Sequence, residues 1–229
     1  MEQRRDSATA YIILADGFET IEALTPLDVL RRCGVEVTTI SLNQTRAVRS
    51  SHGVTVEADA TMEDFMHNCN CCASAIGTGN AGTSSSASSA SGSTNTTNAG
   101  SSTTSGSAVR QALILPGGYP GYKNLCESAE VGALITQFHK EGKLLCAICG
   151  APTALKANQI CRGEAITCHT SVKEELSDYY SILSSAVVKY MNIITGMGAG
   201  RSLDFAFAIA EALTSKEKVE EIKAKMEII

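Results

Sequence analysis

The sequence carries no surplus of positive charge: nineteen Lys and Arg stand against twenty-four Asp and Glu, a formal net charge of −5. Nothing in that balance would neutralise a phosphate backbone, so nucleic acid is not expected as the main partner. Long apolar runs are also missing. The longest early one, Ala10 to Ala15, is far too short to cross a bilayer, and no membrane association is expected. Met1 to Ala8 is charged and then polar, with no secretory apolar segment behind it, which points to a cytoplasmic location. A disulfide framework is not indicated either. Nine cysteines is an odd number, and a chain of 229 residues with 44% hydrophobic side chains can fill its own core. The cysteines therefore read as reduced thiols.

Charge itself is absent from residues 65–109, and within them 73–108 is almost entirely Ser, Thr, Gly, Asn and Ala. Such a stretch buries too little carbon to offset a chain entropy of about 1–2 kcal/mol per residue. It reads as a disordered low-complexity loop interrupting one domain that spans 1–229. Because the cost of loop closure grows only with the logarithm of length, the insertion should leave the fold intact.

Around it, short apolar strands alternate with amphipathic helices. Tyr11 to Ala15 reads as a buried strand, and Glu19 to Cys33 as a helix whose Ile21, Leu24, Leu27 and Leu30 share one face. Gly34 stops that helix, and Val35 to Leu42 is a second strand rich in β-branched residues. Val54 to Val56 follows as a strand, then a helix from Thr61 to Met66, capped by Thr61 with Asp64 three residues on. Beyond the loop, Ala112 to Leu115, Leu144 to Ile148 and Ala165 to Cys168 read as strands. Helices are expected at Ala129 to Glu141 and Ala151 to Ala157. Val187 to Tyr190 and Asn192 to Thr195 form a hairpin-like pair, and helices at about 201–214 and 216–226 close the chain. The pattern specifies an α/β fold, a mostly parallel sheet with helices on both faces. Sites in such sheets lie at the carboxyl ends of strands.

The strongest chemical signal lies at one of those ends. An apolar strand from Leu144 runs into Cys149, and Gly150, Ala151 and Pro152 open a helix at once. A nucleophile elbow needs that sharp turn and that lack of bulk. Amide groups and the helix start are expected to lower the thiol pKa. The competing reading is a buried structural cysteine. Cys146 and Cys149 also form a C-x-x-C, but three strand residues span roughly 10 Å, beyond the ~7 Å reach of a disulfide.

His169 follows the strand Ala165 to Cys168, so the sheet is expected to bring it beside the elbow. Glu19 and Glu22 lie in the first turn of the first helix. There they are either dipole-favourable charges or, if partly buried, a proton shuttle facing the thiol. Pro116, Gly117 and Gly118 end another strand with room for amides to approach a reacting oxygen, or form an ordinary turn. Gly196 to Gly200 resembles a dinucleotide loop, yet no strand with an acidic residue about 20 positions later follows it. His67, Cys69, Cys71 and Cys72 gather soft ligands without a second cluster to complete a tetrahedral set, so solvated thiols are preferred to a metal module.

Taken together, these segments resemble the DJ/ThiJ/PfpI superfamily, most closely its Parkinsonism-associated deglycase branch. The resemblance is carried by Leu14 to Glu22, Pro26 to Gly34, Leu115 to Gly118 and Asn124 to Ser128. Ala147 to Leu155, Thr167 to His169 and Phe205 to Leu213 complete it. It implies a flavodoxin-like sandwich, the architecture of class I glutamine amidotransferases, working as a homodimer. It implies Cys149 as the reactive thiol, Glu22 as a protonated carboxyl touching its sulfur, His169 nearby, and Gly118 and Gly150 supplying amides. No cofactor or metal is implied. The expected activity is glyoxalase III-like or protein deglycase-like, on methylglyoxal-type 2-oxoaldehydes or glycated protein side chains, with protection against oxidative stress. A redox-sensing chaperone with Cys149 oxidised to a sulfinate is the alternative.

An amide-cleaving triad is not expected. Gly150 stands where the protease-like branch has His, and Ser171 where amidotransferases have Glu. Two departures touch the substrate end. His52 occupies a position where the branch often has Arg, and Met197 and Ala199 replace Arg and Pro in the late glycine turn. Loss of fixed positive charge is expected to weaken recognition of an anionic group.

Overall fold

The structure, a computed structural model, describes residues 8–68 and 110–228. The low-complexity loop expected at 73–108, and Cys69, Cys71 and Cys72, lie outside the described residues.

The chain opens with β1 (Thr9–Leu14), α1 (Thr20–Arg32) and β2 (Glu36–Ser41), followed by a small antiparallel hairpin, β3 (Ala47–Arg49) with β4 (Thr55–Glu57). After β5 (Ala60–Thr61) comes α2 (Met62–Asn68), with the Asp64 amide donating to Thr61 Oγ1 at 3.1 Å as the sequence anticipates. Then come β6 (Gln111–Leu115), α3 (Gly121–Glu127), α4 (Ala129–Lys140), β7 (Leu144–Ile148) and the short α5 (Pro152–Ala157). β8 (Ala165–Ile166), α6 (Lys173–Leu176) and β9 (Ser181–Ile182) form an excursion from the main layer. The chain returns through β10 (Val187–Tyr190) and β11 (Ile193–Gly196), then α7 (Ser202–Leu213) and α8 (Lys216–Lys225).

Seven strands form one sheet in the order β10-β11-β7-β6-β1-β2-β5, parallel throughout except for β10 against β11. Its central strands follow the doubly wound order of flavodoxin-like folds, whose switch point falls between β1 and β6. The central strands β6 and β7 read as nearly unbroken apolar runs because both faces are covered. Successive side chains alternate between two cores. Ala10, Ile12, Leu14, Ile114, Cys146 and Ile148 pack with Val29 and Leu30 of α1 and Phe205 and Ile209 of α7. Ile13, Leu113, Leu115, Leu145 and Ala147 pack with Leu134 and Phe138 of α4 and Leu155 of α5. Cys146 is thus a fully buried core side chain, and the C-x-x-C spacing carries no redox pair.

One expectation needs correcting here. The strand at Ala165 to Cys168 is only Ala165–Ile166, and it pairs with β9 outside the main sheet. His169 is not delivered by a neighbouring strand of the central sheet. Instead the Thr167 amide donates to Thr195 Oγ1 at 2.9 Å, and the His169 amide to the Cys149 carbonyl at 2.9 Å. These two bonds draw the segment across the end of β11 and β7.

Candidate active site

Three carboxyl ends of the sheet converge at the switch point. After β1 the chain turns into α1, whose N-cap is Glu19; its carboxylate accepts the Glu22 amide at 2.8 Å. Glu19 therefore satisfies an orphan N–H of the helix start. Glu22, one turn on, has a different fate. It is fully buried, and its Oε2 accepts the Gly117 amide at 2.9 Å. Its Oε1 is buried without a hydrogen-bond partner.

Gly117 and Gly118 close the turn after β6. A Cβ on Gly117 would lie 2.6 Å from Cys149 Cβ, 2.7 Å from Glu22 Oε2 and 3.0 Å from Cys149 Sγ. The bare glycine is what lets the sulfur and the carboxyl meet. Gly118 has φ +91°, and a Cβ there would overlap the Glu19 amide at 2.3 Å. Only glycine fits this backbone.

Cys149 follows β7 with φ 65°, a left-handed conformation that costs a non-glycine residue on the order of 1–3 kcal/mol. Its surroundings hold it there. The Cys149 amide donates to the Gly196 carbonyl at 3.0 Å, and the Cys149 carbonyl accepts the His169 amide at 2.9 Å. The next residue must be small, since a Cβ on Gly150 would strike the Tyr122 ring at 2.7 Å. The thiol hydrogen-bonds with Glu22, and the amides of Gly118 and Gly150 point at its sulfur.

The titration behaviour differs from the expectation that the elbow lowers the thiol pKa. Burial and the adjacent Glu22 carboxylate push Cys149 up to about 12, against the opposing pull of the Gly118 and Gly150 amides. The helix that follows is a single six-residue piece, too short to outweigh that desolvation. Burial likewise raises Glu22 from 4.5 to about 7; the Cys149 and Gly117 hydrogen bonds oppose this, and the Glu19 charge adds to it. The pair therefore releases its first proton near neutrality and its second only in strong alkali. Between those limits one proton is shared by the carboxyl and the sulfur. A thiolate arises when that proton sits on Glu22, with the acid and two amides then donating to sulfur.

His169 is exposed at the rim. Its Nδ1 accepts the Ser171 amide at 3.2 Å and lies 2.8 Å from Ser171 Oγ, so the hydrogen-bond pattern assigns the neutral ring proton to Nε2. The partner here is a serine, and the His–Glu pairing of amidotransferases is absent, as the sequence indicates. Cys149, Glu22 and His169 line one cleft of about 740 Å³ with His52, Met197 and Arg201. The β3–β4 hairpin supplies the His52 wall. It is tied down by the Asp16 carboxylate accepting the Arg49 amide at 2.8 Å and by the Ser51 amide on the Phe18 carbonyl at 2.9 Å.

Two participants were not singled out by sequence. In the sequence Gly117 reads as part of a turn whose amides face a reacting oxygen, whereas its N–H holds Glu22. Arg201 lines the same cleft and brings to it a fixed positive charge that positions 52 and 197 do not carry. The signal was available in the rule for strand ends, because β11 stops at Gly196 and the next residues line the cleft. The Gly196 to Gly200 turn is thus a wall of this site. Among the described residues no group of His, Cys, Asp and Glu is arranged to hold a metal ion.

Fold and site together define a flavodoxin-like α/β protein with a cysteine held on a strand-to-helix elbow against a buried acid. The DJ-1/PfpI family model matches residues 8–212, and the chain belongs to that family. It is 33% identical over 217 residues to Protein dj-1beta of Drosophila melanogaster, covering 94% of this chain and 95% of that protein. The crystal structure of Drosophila melanogaster DJ-1beta superposes with a TM-score of 0.76 at 30% identity, covering 97% of this chain and 99% of the other. Similarity extends to the glutathione-independent glyoxalase DJR-1.2 of Caenorhabditis elegans, 39% identical over 107 residues. That match covers 46% of this chain and 56% of the nematode protein. No helix among the described residues is long and apolar enough to cross a membrane.

Proposed function

We propose that this chain is a cofactor-independent glyoxalase acting through Cys149 on methylglyoxal-type 2-oxoaldehydes, with deglycation of their protein adducts as the related activity. One observation carries the reading. Cys149 and the fully buried Glu22 carboxyl meet across the bare Gly117 in one open cleft, where burial raises the carboxyl to about 7. Glu22 takes the thiol proton as the sulfur attacks the aldehyde carbon, giving a hemithioacetal. The amides of Gly118 and Gly150 hold the negative charge that develops there. Glu22, assisted by His169 Nε2 at the rim, then moves the carbon-bound proton from C1 to C2 through an enediol. The resulting thioester on Cys149 is hydrolysed by water to a 2-hydroxy acid, and the thiol is restored. The aldehyde carbon is oxidised and the ketone carbon reduced within one molecule, so no external redox partner is needed.

A homodimer in a reducing, cytoplasmic setting belongs to this proposal. The exposed apolar side chains of Ile21 on α1 and Leu203 on α7 support the dimer, and the six described cysteines are all free. The test is lactate production from methylglyoxal without glutathione. Catalytic lactate is expected, with kcat/KM rising with pH through about 7 as the pair loses its first proton. Aldehyde uptake that stops at one equivalent per thiol, with no lactate, would discard the activity.

A second reading is favoured by the donors gathered at the same sulfur: oxidation of Cys149 to a sulfinate in a stress-sensing or chaperone role. The Glu22 acid and the Gly118 and Gly150 amides beside that sulfur support this reading as donors to sulfinate oxygens. Mild peroxide should then add two oxygens to Cys149 ahead of Cys126 and Cys161, the other half-buried thiols. Peptide mass spectrometry reads the order, and equal oxidation of all three would count against sensing.

A further inference from the structure

Arg201 is the one permanently charged cation among the residues lining the cleft. It closes a 3-10 turn, Ala199–Arg201, with its amide on the Gly198 carbonyl at 2.8 Å. Gly198 itself faces the reacting groups: a Cβ there would lie 3.4 Å from His169 Cδ2 and 4.0 Å from Glu22 Oε1. At a rise of about 2 Å per residue, Arg201 sits roughly 6 Å beyond that point, within reach of its own long side chain. Its one ionic contact is weak. Asp204 Oδ2 lies 3.6 Å away, and the two side chains are 58% and 53% exposed. That separation is too long for a hydrogen bond, and solvent screens the pair, so the guanidinium keeps its donors for another anion.

The surroundings favour the same sign of ligand. α7 starts immediately after Arg201 without a side-chain cap, leaving first-turn amides and the positive end of the helix near the guanidinium. The Glu19 carboxylate, at the N-cap of α1, is engaged by the Glu22 amide at 2.8 Å. Met197 and His52 bring no fixed charge.

We propose that Arg201 is a specificity-determining residue that selects 2-oxoaldehydes bearing an anionic group two or three carbons beyond the dicarbonyl. The proposal rests on the 2-oxoaldehyde reading above and names the substrate class within it. A five-carbon example is 4,5-dioxopentanoate, whose far carboxylate fits the bidentate fork of Arg. The sulfur adds to its aldehyde carbon, the C5 proton and electron pair pass to C4, and water cleaves the thioester. The product is 2-hydroxyglutarate, with C5 oxidised, C4 reduced and one water consumed.

The test compares kcat/KM for 4,5-dioxopentanoate with that for 2-oxopentanal, which has the same chain length and no carboxylate. In Arg201→Gln the ratio of the two is expected to fall about tenfold. In Asp204→Asn, where the competing carboxylate is gone, it should rise about twofold. A ratio within twofold of wild type in Arg201→Gln overturns the assignment. A second readout needs no turnover: the rate of Cys149 alkylation by iodoacetate relative to neutral iodoacetamide, followed by mass spectrometry. That ratio should fall at least about threefold in Arg201→Gln. If wild type converts neither aldehyde, the glyoxalase reading fails by itself. The alkylation ratio then decides the role of Arg201, and no change in it removes the anion site.

Discussion

Serine in place of Cys149 is expected to cut lactate formation from methylglyoxal by at least about 10³-fold while the protein stays folded. The substitution exchanges one atom at a position whose backbone is fixed from both sides, by Gly196 and by the His169 segment. Oγ fits where Sγ was, so packing changes little. Reactivity changes greatly, because a hydroxyl in this pocket cannot pass its proton to an acid that titrates near 7. Lactate release and thermal denaturation, measured on the same preparation, check both halves. Turnover within tenfold of wild type would eliminate the thiol as nucleophile.

Glu22→Gln should move activity and stability in opposite directions. Loss of the proton acceptor is expected to lower kcat/KM by about 10²–10⁴-fold. Gln retains an oxygen for the Gly117 amide and an NH₂ toward the sulfur, so the architecture has no reason to collapse. The stability change follows from linkage. The folded carboxyl titrates near 7 against an ordinary 4.5, so between those values the folded protein binds the proton that the unfolded chain has lost. Wild-type stability is therefore full below about 4.5 and declines as pH rises to about 7, by about 3 kcal/mol at most. Glutamine has no such dependence. Denaturation at pH 4.5 and pH 8 should show the variant gaining on wild type at the higher pH. Parallel pH profiles for the two proteins would mean that Glu22 is not the group with the raised pKa.

Much of the fold was legible because burial on two faces leaves a strong mark in a sequence. β7 and β10 fall at Leu144–Ile148 and Val187–Tyr190 as read, since apolar runs bounded by Gly, Lys or Ser leave little choice of ends. The hairpin partner β3 leaves no such mark. Its three residues contain one buried side chain, Val48, and its pairing depends on Asp16 reaching the Arg49 amide from another part of the chain. α3 and α6 are equally unmarked: each is short and takes its place from the elements it packs against. At the site, Cys149 was visible through the local demands of a tight turn. Glu22 could be distinguished from Glu19 only by the family resemblance, because both sit in the first turn of one helix. Three-dimensional structure separates them, sending one to the helix amides and burying the other. The direction of the thiol pKa was not legible. It depends on how much water reaches the sulfur and on the charge state of a neighbour far away in sequence.

The two backbone bonds that lock Cys149 in its left-handed bend come from stretches well downstream of it, one at Gly196 and one at His169. The direction in which the sulfur points is consequently set in part by backbone that lies outside the elbow itself. A side chain at Gly196 would press on Ile148 at 2.9 Å and is expected to shift the carbonyl that holds the Cys149 amide, with every charge in the cleft unchanged. The geometry at the thiol can therefore be altered through alignment, at positions outside the cleft wall.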